Sequence, residues 1–123
     1  MKTTFKELVG KTIVNISVQD DNEVIRFTCS DGSTYIMQHD QDCCESVVVE
    51  DIIGDLDDLI GSPILQADED ESEENPEGII KGYQDSFTWT FYNIATIKGH
   101  VTIRWYGESN GYYSEDVSFY KLT

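Results

Sequence analysis

Apolar residues recur along this chain with two different periods, and the changes of period divide it into elements. Phe5, Leu8 and Val9 lie at helix-like spacing behind Thr3 and Thr4, residue types that cap helices, and Gly10 stands as a stop. The spacing predicts a short helix over 3–11. From Ile13 the pattern becomes β-branched and largely alternating through Val14, Ile16 and Val18, and Gln19-Asp-Asp-Asn22 then supplies turn chemistry. Val24, Arg26 and Thr28 alternate with Ile25, Phe27 and Cys29. Ser30-Asp-Gly32 reads as a hairpin, and Tyr35-Ile-Met37 continues beyond it. These three runs predict an antiparallel meander.

Val47-Val-Val49 favours a short strand. Ile52, Ile53, Leu56, Leu59 and Ile60 follow at the spacing of an apolar helix stripe, which leaves Asp55, Asp57 and Asp58 on an acidic outer face before Gly61-Ser-Pro63 ends the element. Ile64-Leu65 opens a strand that runs into residues 67–78, a stretch with seven acids and no large apolar residue, expected to be a mobile loop. Farther on, Phe87, Trp89 and Phe91 alternate with Thr88, Thr90 and Tyr92. Val101, Ile103 and Trp105 alternate with Thr102, Arg104 and Tyr106. The sum is an α+β fold: a single domain over 1–123, mostly antiparallel β-sheet of six or seven strands, with two short helices and an acidic loop at about 67–78.

Charge changes this picture most. The 123 residues include 24 acids and 8 bases, for a net charge of −16, whereas small domains ordinarily carry roughly 2 to 8. Residues 27–80 hold 16 of the acids and no Lys or Arg, while the flanks hold 8 acids and 8 bases. Direct nucleic-acid binding is excluded, because phosphate contact needs clustered bases. At 39% hydrophobic and 11% aromatic residues, the chain has too much to bury for a disordered acidic tail. The start, Met1-Lys-Thr-Thr-Phe-Lys-Glu7, has no apolar core of a secretory signal, and no apolar run approaches the ~18 residues of a membrane span. A cytoplasmic protein is expected. Three cysteines, Cys29, Cys43 and Cys44, make a poor disulfide framework, so reduced thiols are expected too.

The densest chemistry is His39-Asp-Gln-Asp-Cys-Cys-Glu45. Zinc takes Cys sulfur and His nitrogen, which makes His39, Cys43 and Cys44 the candidate metal ligands. Adjacent cysteines point to opposite faces of an extended chain, so both reach one ion only if the backbone bends. Burial of the cysteines as small hydrophobes is the competing reading. Cysteine catalysis is disfavoured, since neighbouring carboxylates suppress the thiolate. His100, after Gly99, reads as a surface turn residue. The runs Asp55-Leu-Asp-Asp58 and Asp68-Glu-Asp-Glu71 lack the spacing and Gly of a calcium loop, and no phosphate-binding or nucleophile-elbow motif occurs. An enzyme is not expected. What remains is an acidic surface whose self-repulsion calls for a cationic partner, with Asp55, Asp57, Asp58, Asp68, Glu69, Asp70, Glu71, Glu73 and Glu74 as its contact residues.

The phrases at 39–45, at 54–64 (Gly54-Asp-Leu-Asp-Asp-Leu-Ile-Gly-Ser-Pro-Ile64) and at 95–115, including Trp105-Tyr-Gly-Glu-Ser-Asn-Gly-Tyr-Tyr-Ser-Glu115, resemble a family of small uncharacterised bacteriophage and prophage proteins. The resemblance implies a phage setting, in which small acidic proteins often inhibit host defence. In size and charge the chain also resembles anti-CRISPR proteins directed against Cas9, some of which bind metal. The expectation is a non-enzymatic inhibitor of a Cas9-type nuclease in the host cytoplasm, hindering nucleic-acid loading through its acids. The alternatives are a small zinc-binding module and a phage accessory protein with no defence target.

Overall fold

The computed structural model describes residues 1–75 and 86–122. Eight strands lie among them: β1 (Ile13–Gln19), β2 (Val24–Cys29), β3 (Thr34–Gln38), β4 (Ser46–Ile53), β5 (Gln66–Ser72), β6 (Ser86–Thr96), β7 (Gly99–Ser109) and β8 (Ser118–Lys121). They form two antiparallel four-stranded sheets, in the orders β1-β2-β3-β8 and β4-β7-β6-β5. The expected meander is the first three strands of one sheet. Its first turn is tight, with Asp20, Asp21 and Asn22 all at positive φ, a conformation that Asp and Asn tolerate better than other side chains.

One core lies between the sheets. Ile25, Phe27, Tyr35 and Met37 enter it from the first sheet, and Tyr92, Ile94, Val101, Ile103 and Trp105 from the second, all fully buried. The indole N–H of Trp105 donates to Met37 Sδ at 3.1 Å across the gap. Phe5 closes one side of the core, with its ring edge-on to Tyr92 at 4.9 Å and to Phe119 at 5.4 Å. Such contacts add about 0.5–1.5 kcal/mol each beyond area burial.

The architecture is therefore mostly β, and the two expected helices are corrected. Each is a single 3-10 turn, Phe5–Leu8 and Leu56–Leu59. Apolar spacing identified the buried side chains Phe5, Leu8 and Leu59, but segments this short do not repay helix nucleation. In the second case two of the five residues of the supposed stripe, Ile52 and Ile53, belong to a strand. Ile52 is the last inward residue of β4, opposite Ile103. It faces inward because β4 carries a bulge between Val49 and Asp51. Strict alternation after Val47 and Val49 would have turned Asp51 into the core. The extra residue sends it outward instead.

Gly54 then stops any continuation, since its φ is +115° and a Cβ there would lie 2.7 Å from the His100 carbonyl oxygen. The third correction concerns the acidic loop. Residues 66–72 form strand β5, paired with β6 from Gln66↔Ala95 to Ser72↔Trp89, and residues 76–78 lie outside the described residues. Replacing Gly54 with Ala is expected to cost about 2–3 kcal/mol, combining an unfavourable φ with a backbone clash. Urea denaturation of Gly54→Ala beside Gly10→Ala, which also has positive φ but open space around its Cα, checks this. Equal losses in the two variants would remove the clash from the account.

Candidate functional site

Pairing with β6 sets out the central acids in two directions. Ala67 is buried opposite Ile94, so Glu69 and Glu71 share its inward side, opposite Tyr92 and Thr90, while Asp68 and Asp70 point outward, opposite Asn93 and Phe91. Neighbours on one face of a strand are about 6.7 Å apart. That is less than the ~8 Å screening length at physiological salt, so their charges repel. Glu73 and Glu74 follow the strand and are exposed.

The 3-10 turn at 56–59 adds the other three acids of the expected contact set. Asp55 accepts a hydrogen bond from the Asp57 backbone N–H at 2.9 Å and so caps the turn. Asp57 is exposed, whereas Asp58 packs against Gly99, and its carbonyl accepts from Thr96 Oγ1. The turn thus docks on the β6–β7 hairpin beside the end of β5 that starts at Gln66. The expected contact residues therefore lie in two places, along and just after β5 at one edge of the second sheet and on the turn at the closed end of the β6–β7 hairpin; Glu69 and Glu71, though exposed, are on the face of β5 that Ala67 shares.

Other acids of the central segment find bases from the flanks. Arg104 Nη2 donates to both carboxylate oxygens of Glu50 at 2.8 and 3.0 Å, with Asp51 at 3.5 Å. The bulge in β4 makes this arrangement, because it brings both acids to the outer face where Arg104 also lies over the Trp89 ring. Lys11 bonds Asp31 at 2.7 Å, and this contact, with two hydrogen bonds from Ser33, holds the Asp31 carboxyl well below the usual range. By contrast, no ion pair among the described residues involves Asp55, Asp57, Asp58, Asp68, Glu69, Asp70, Glu71, Glu73 or Glu74.

The candidate metal residues are otherwise engaged. His39 Nδ1 donates to the Asp116 carbonyl at 2.6 Å, and Nε2 meets Glu45 Oε2 at 2.7 Å. Glu45 also accepts from the backbone N–H groups of Asp42 and Cys43. Cys43 and Cys44 are joined as a vicinal disulfide, where reduced thiols were expected, and Cys29 is free and buried. Among the described residues no group of three His, Cys, Asp or Glu side chains converges as metal ligands. A zinc ion held by His39, Cys43 and Cys44 would need the cysteine pair reduced and His39 turned from Glu45. The geometry instead makes Glu45 the organiser of this loop, with His39 tying it to the segment that leads into β8. Sequence reasoning saw Glu45 only as one more acid. Its signal was its place beside a polar turn, immediately before the β-branched run of β4.

The described residues thus make a mostly-β domain of two antiparallel four-stranded sheets, with acidic side chains along the β5 edge of the second. The chain belongs to a family described as a domain of unknown function, DUF7448, whose model matches residues 6–119. No curated protein and no solved structure matches it. Among the described residues no helix is long and apolar enough to cross a membrane.

The His39 contact, followed by the two backbone donors, lowers the Glu45 carboxyl from 4.5 to about 2. A carboxyl depressed on folding contributes stability that is fully present above its unfolded value and is lost as pH falls through the folded one. Acid unfolding of the native protein is therefore expected to lose this contribution between about pH 4.5 and pH 2. Glu45→Gln should be less stable at neutral pH and should have a flatter stability profile over that window. Circular dichroism across an acid series checks this, and a variant profile parallel to the parent's would reject it.

Proposed function

We propose that this protein is a non-enzymatic inhibitor of a host defence nuclease of the Cas9 type, an anti-CRISPR protein carried by a phage, which occupies a positively charged surface of the nuclease and hinders nucleic-acid loading. The observation that carries the reading is the row of acids along β5 and the adjoining 3-10 turn, which no base of the chain neutralises among the described residues. Outward carboxylates about 6.7 Å apart repeat at nearly twice the ~3.4 Å phosphate spacing of one DNA strand. Guide-directed nucleases hold their heteroduplex in a positively charged channel, which gives such a row a complementary surface. The resemblance of the phrases at 39–45, 54–64 and 95–115 to bacteriophage proteins points toward host defence as the setting. A strand holds its charges at fixed spacing, so less ordering is lost on binding than for a flexible acidic tail.

Complementary charge acts mainly on association rate and specificity, and its effect fades with salt. Pull-down of Cas9-type effectors at low and high salt is expected to show a complex that weakens as salt rises. The double substitution Asp68→Asn and Asp70→Asn is expected to slow association by about tenfold. Failure to find a salt-sensitive complex with any nuclease rejects the proposal.

A further inference from the structure

Residues 39–45 connect β3 of the first sheet to β4 of the second. Within this connection the chain bends at Cys43 and Cys44, and both residues are exposed. Adjacent side chains of an extended chain point to opposite faces, so the bend is what brings the two sulfurs together as a disulfide. Cys29, the third cysteine, is 3% exposed and free, and burial pushes its thiol up from the ordinary range. Of the three cysteines, only the adjacent pair is open to a reagent in solvent.

The pair adds little as a cross-link. The entropy that a disulfide removes from the unfolded chain grows with the loop it closes, and no residue separates Cys43 from Cys44. Exposed disulfides are the labile and regulatory ones, and in reducing compartments disulfides are mostly transient and redox-sensing. What the bond does hold is one peptide group, because the amide between the two cysteines is part of a small ring while the bond stands. The Cys43 carbonyl, on that ring, accepts from Gln41 Nε2 at 3.1 Å, and Gln41 Nε2 also donates to the Glu45 carbonyl at 2.7 Å. The Cys43 N–H donates to Glu45 Oε1 at 2.8 Å. Opening the ring frees the chain to rotate about Cys43, and both clamps then loosen.

We propose that Cys43 and Cys44 are a reversible redox modification site, cycled between disulfide and dithiol by low-molecular-weight thiols, and that its state sets the rigidity of the connection between the sheets. A thiolate from solvent attacks one sulfur of the pair, and a mixed disulfide forms as the S–S bond breaks and the other cysteine leaves as a thiolate. A second small thiolate then attacks the external sulfur of the mixed disulfide and releases the remaining cysteine. The pair gains two electrons and two protons, and two small thiols become one small disulfide. The same steps in reverse restore the ring. The first half of the loop stays in place in either state, because the His39 ring is bonded to the Asp116 carbonyl and the Asp40 carboxylate accepts from Ser118 and Tyr120. Reduction therefore loosens residues 41–45 and leaves β8 as it is.

The test equilibrates the full chain with reduced and oxidised glutathione over a wide range of ratios and weighs the acid-quenched protein by mass spectrometry. Two forms that differ by two hydrogens and interconvert in both directions are expected. The bond should map to Cys43 and Cys44, with Cys29 resistant to alkylation until the chain is unfolded. Phenylarsine oxide, which takes two thiols on one arsenic, should bind the reduced chain on the order of a hundredfold more tightly than it binds Cys44→Ser. Cys44 is exposed, so this variant keeps the fold, which circular dichroism checks. Hydrogen exchange at the Asp42 and Cys43 amides should quicken about tenfold on reduction, the weight of one weakened hydrogen bond, while the β8 amides are unchanged. A chain that stays a dithiol at every ratio, a disulfide that survives excess thiol, equal arsenical binding by Cys44→Ser, or equal exchange at Asp42 and Cys43 in the two states would each overturn the proposal. No nuclease takes part, so these outcomes leave the acidic-edge reading untouched.

Discussion

The pairing of β6 with β7 is the interaction on which the rest of the second sheet depends. These strands are in register from Ser86↔Ser109 to Thr96↔Gly99, and they bury Tyr92, Ile94, Val101, Ile103 and Trp105 on one face. Each of the other two strands of that sheet attaches to one side of the hairpin, and the 3-10 turn at 56–59 docks on its closed end. Besides β6, β5 packs against the 3-10 turn at Phe5–Leu8. Ala67 is its one buried residue, and fixing each backbone position costs about 1–2 kcal/mol of entropy. Hydrogen bonding to β6 must offset most of that cost. The acidic row therefore takes its spacing and direction from an aromatic hairpin that carries little charge itself.

This dependence explains how much could be read in advance. β1, β2, β3, β6 and β7 were legible because apolar and polar residues alternate within each and turn residues separate them. Gln66-Ala-Asp-Glu-Asp-Glu-Ser72 carries no such signal. Asp and Glu are poor strand formers, and the partner that makes this segment a strand is some twenty residues away. The stripe from Ile52 to Ile60 failed for a different reason. Helical spacing arose from joining a bulged strand to a 3-10 turn across Gly54, and periodicity alone does not reveal a bulge. At the site, the expected contact acids were right in identity and incomplete in direction. Only the register shows that Glu69 and Glu71 turn inward beside Tyr92.

Folding also divides the excess charge into two populations. Asp31, Glu45, Glu50 and Asp51 are held by Lys11, His39 and Arg104, cationic or imidazole groups drawn mainly from the flanks. These contacts fix loops and the bulge, so their acids belong to the architecture. The acids of β5, of the residues just after it and of the 56–59 turn have no such ties among the described residues, and there the self-repulsion remains. Ion pairing thus separates the acids that fix loops and the bulge from those of β5 and the 56–59 turn, and it leaves most of the charge of −16 uncompensated. His39, chosen from sequence for its capacity to bind metal, falls with the first group: it joins the Glu45 loop to the backbone of Asp116, ahead of β8.

Among the described residues β5 is also the outermost strand of its sheet, with no neighbouring strand on one side of its backbone. Such an edge is a template on which a further strand can assemble. Carboxylates at Asp68, Glu69, Asp70 and Glu71 make it hostile to a second copy of itself, because antiparallel pairing would set like charges against one another. The four side chains that give the proposed contact with a basic surface its charge are thus the same ones that oppose pairing of this strand with a second copy.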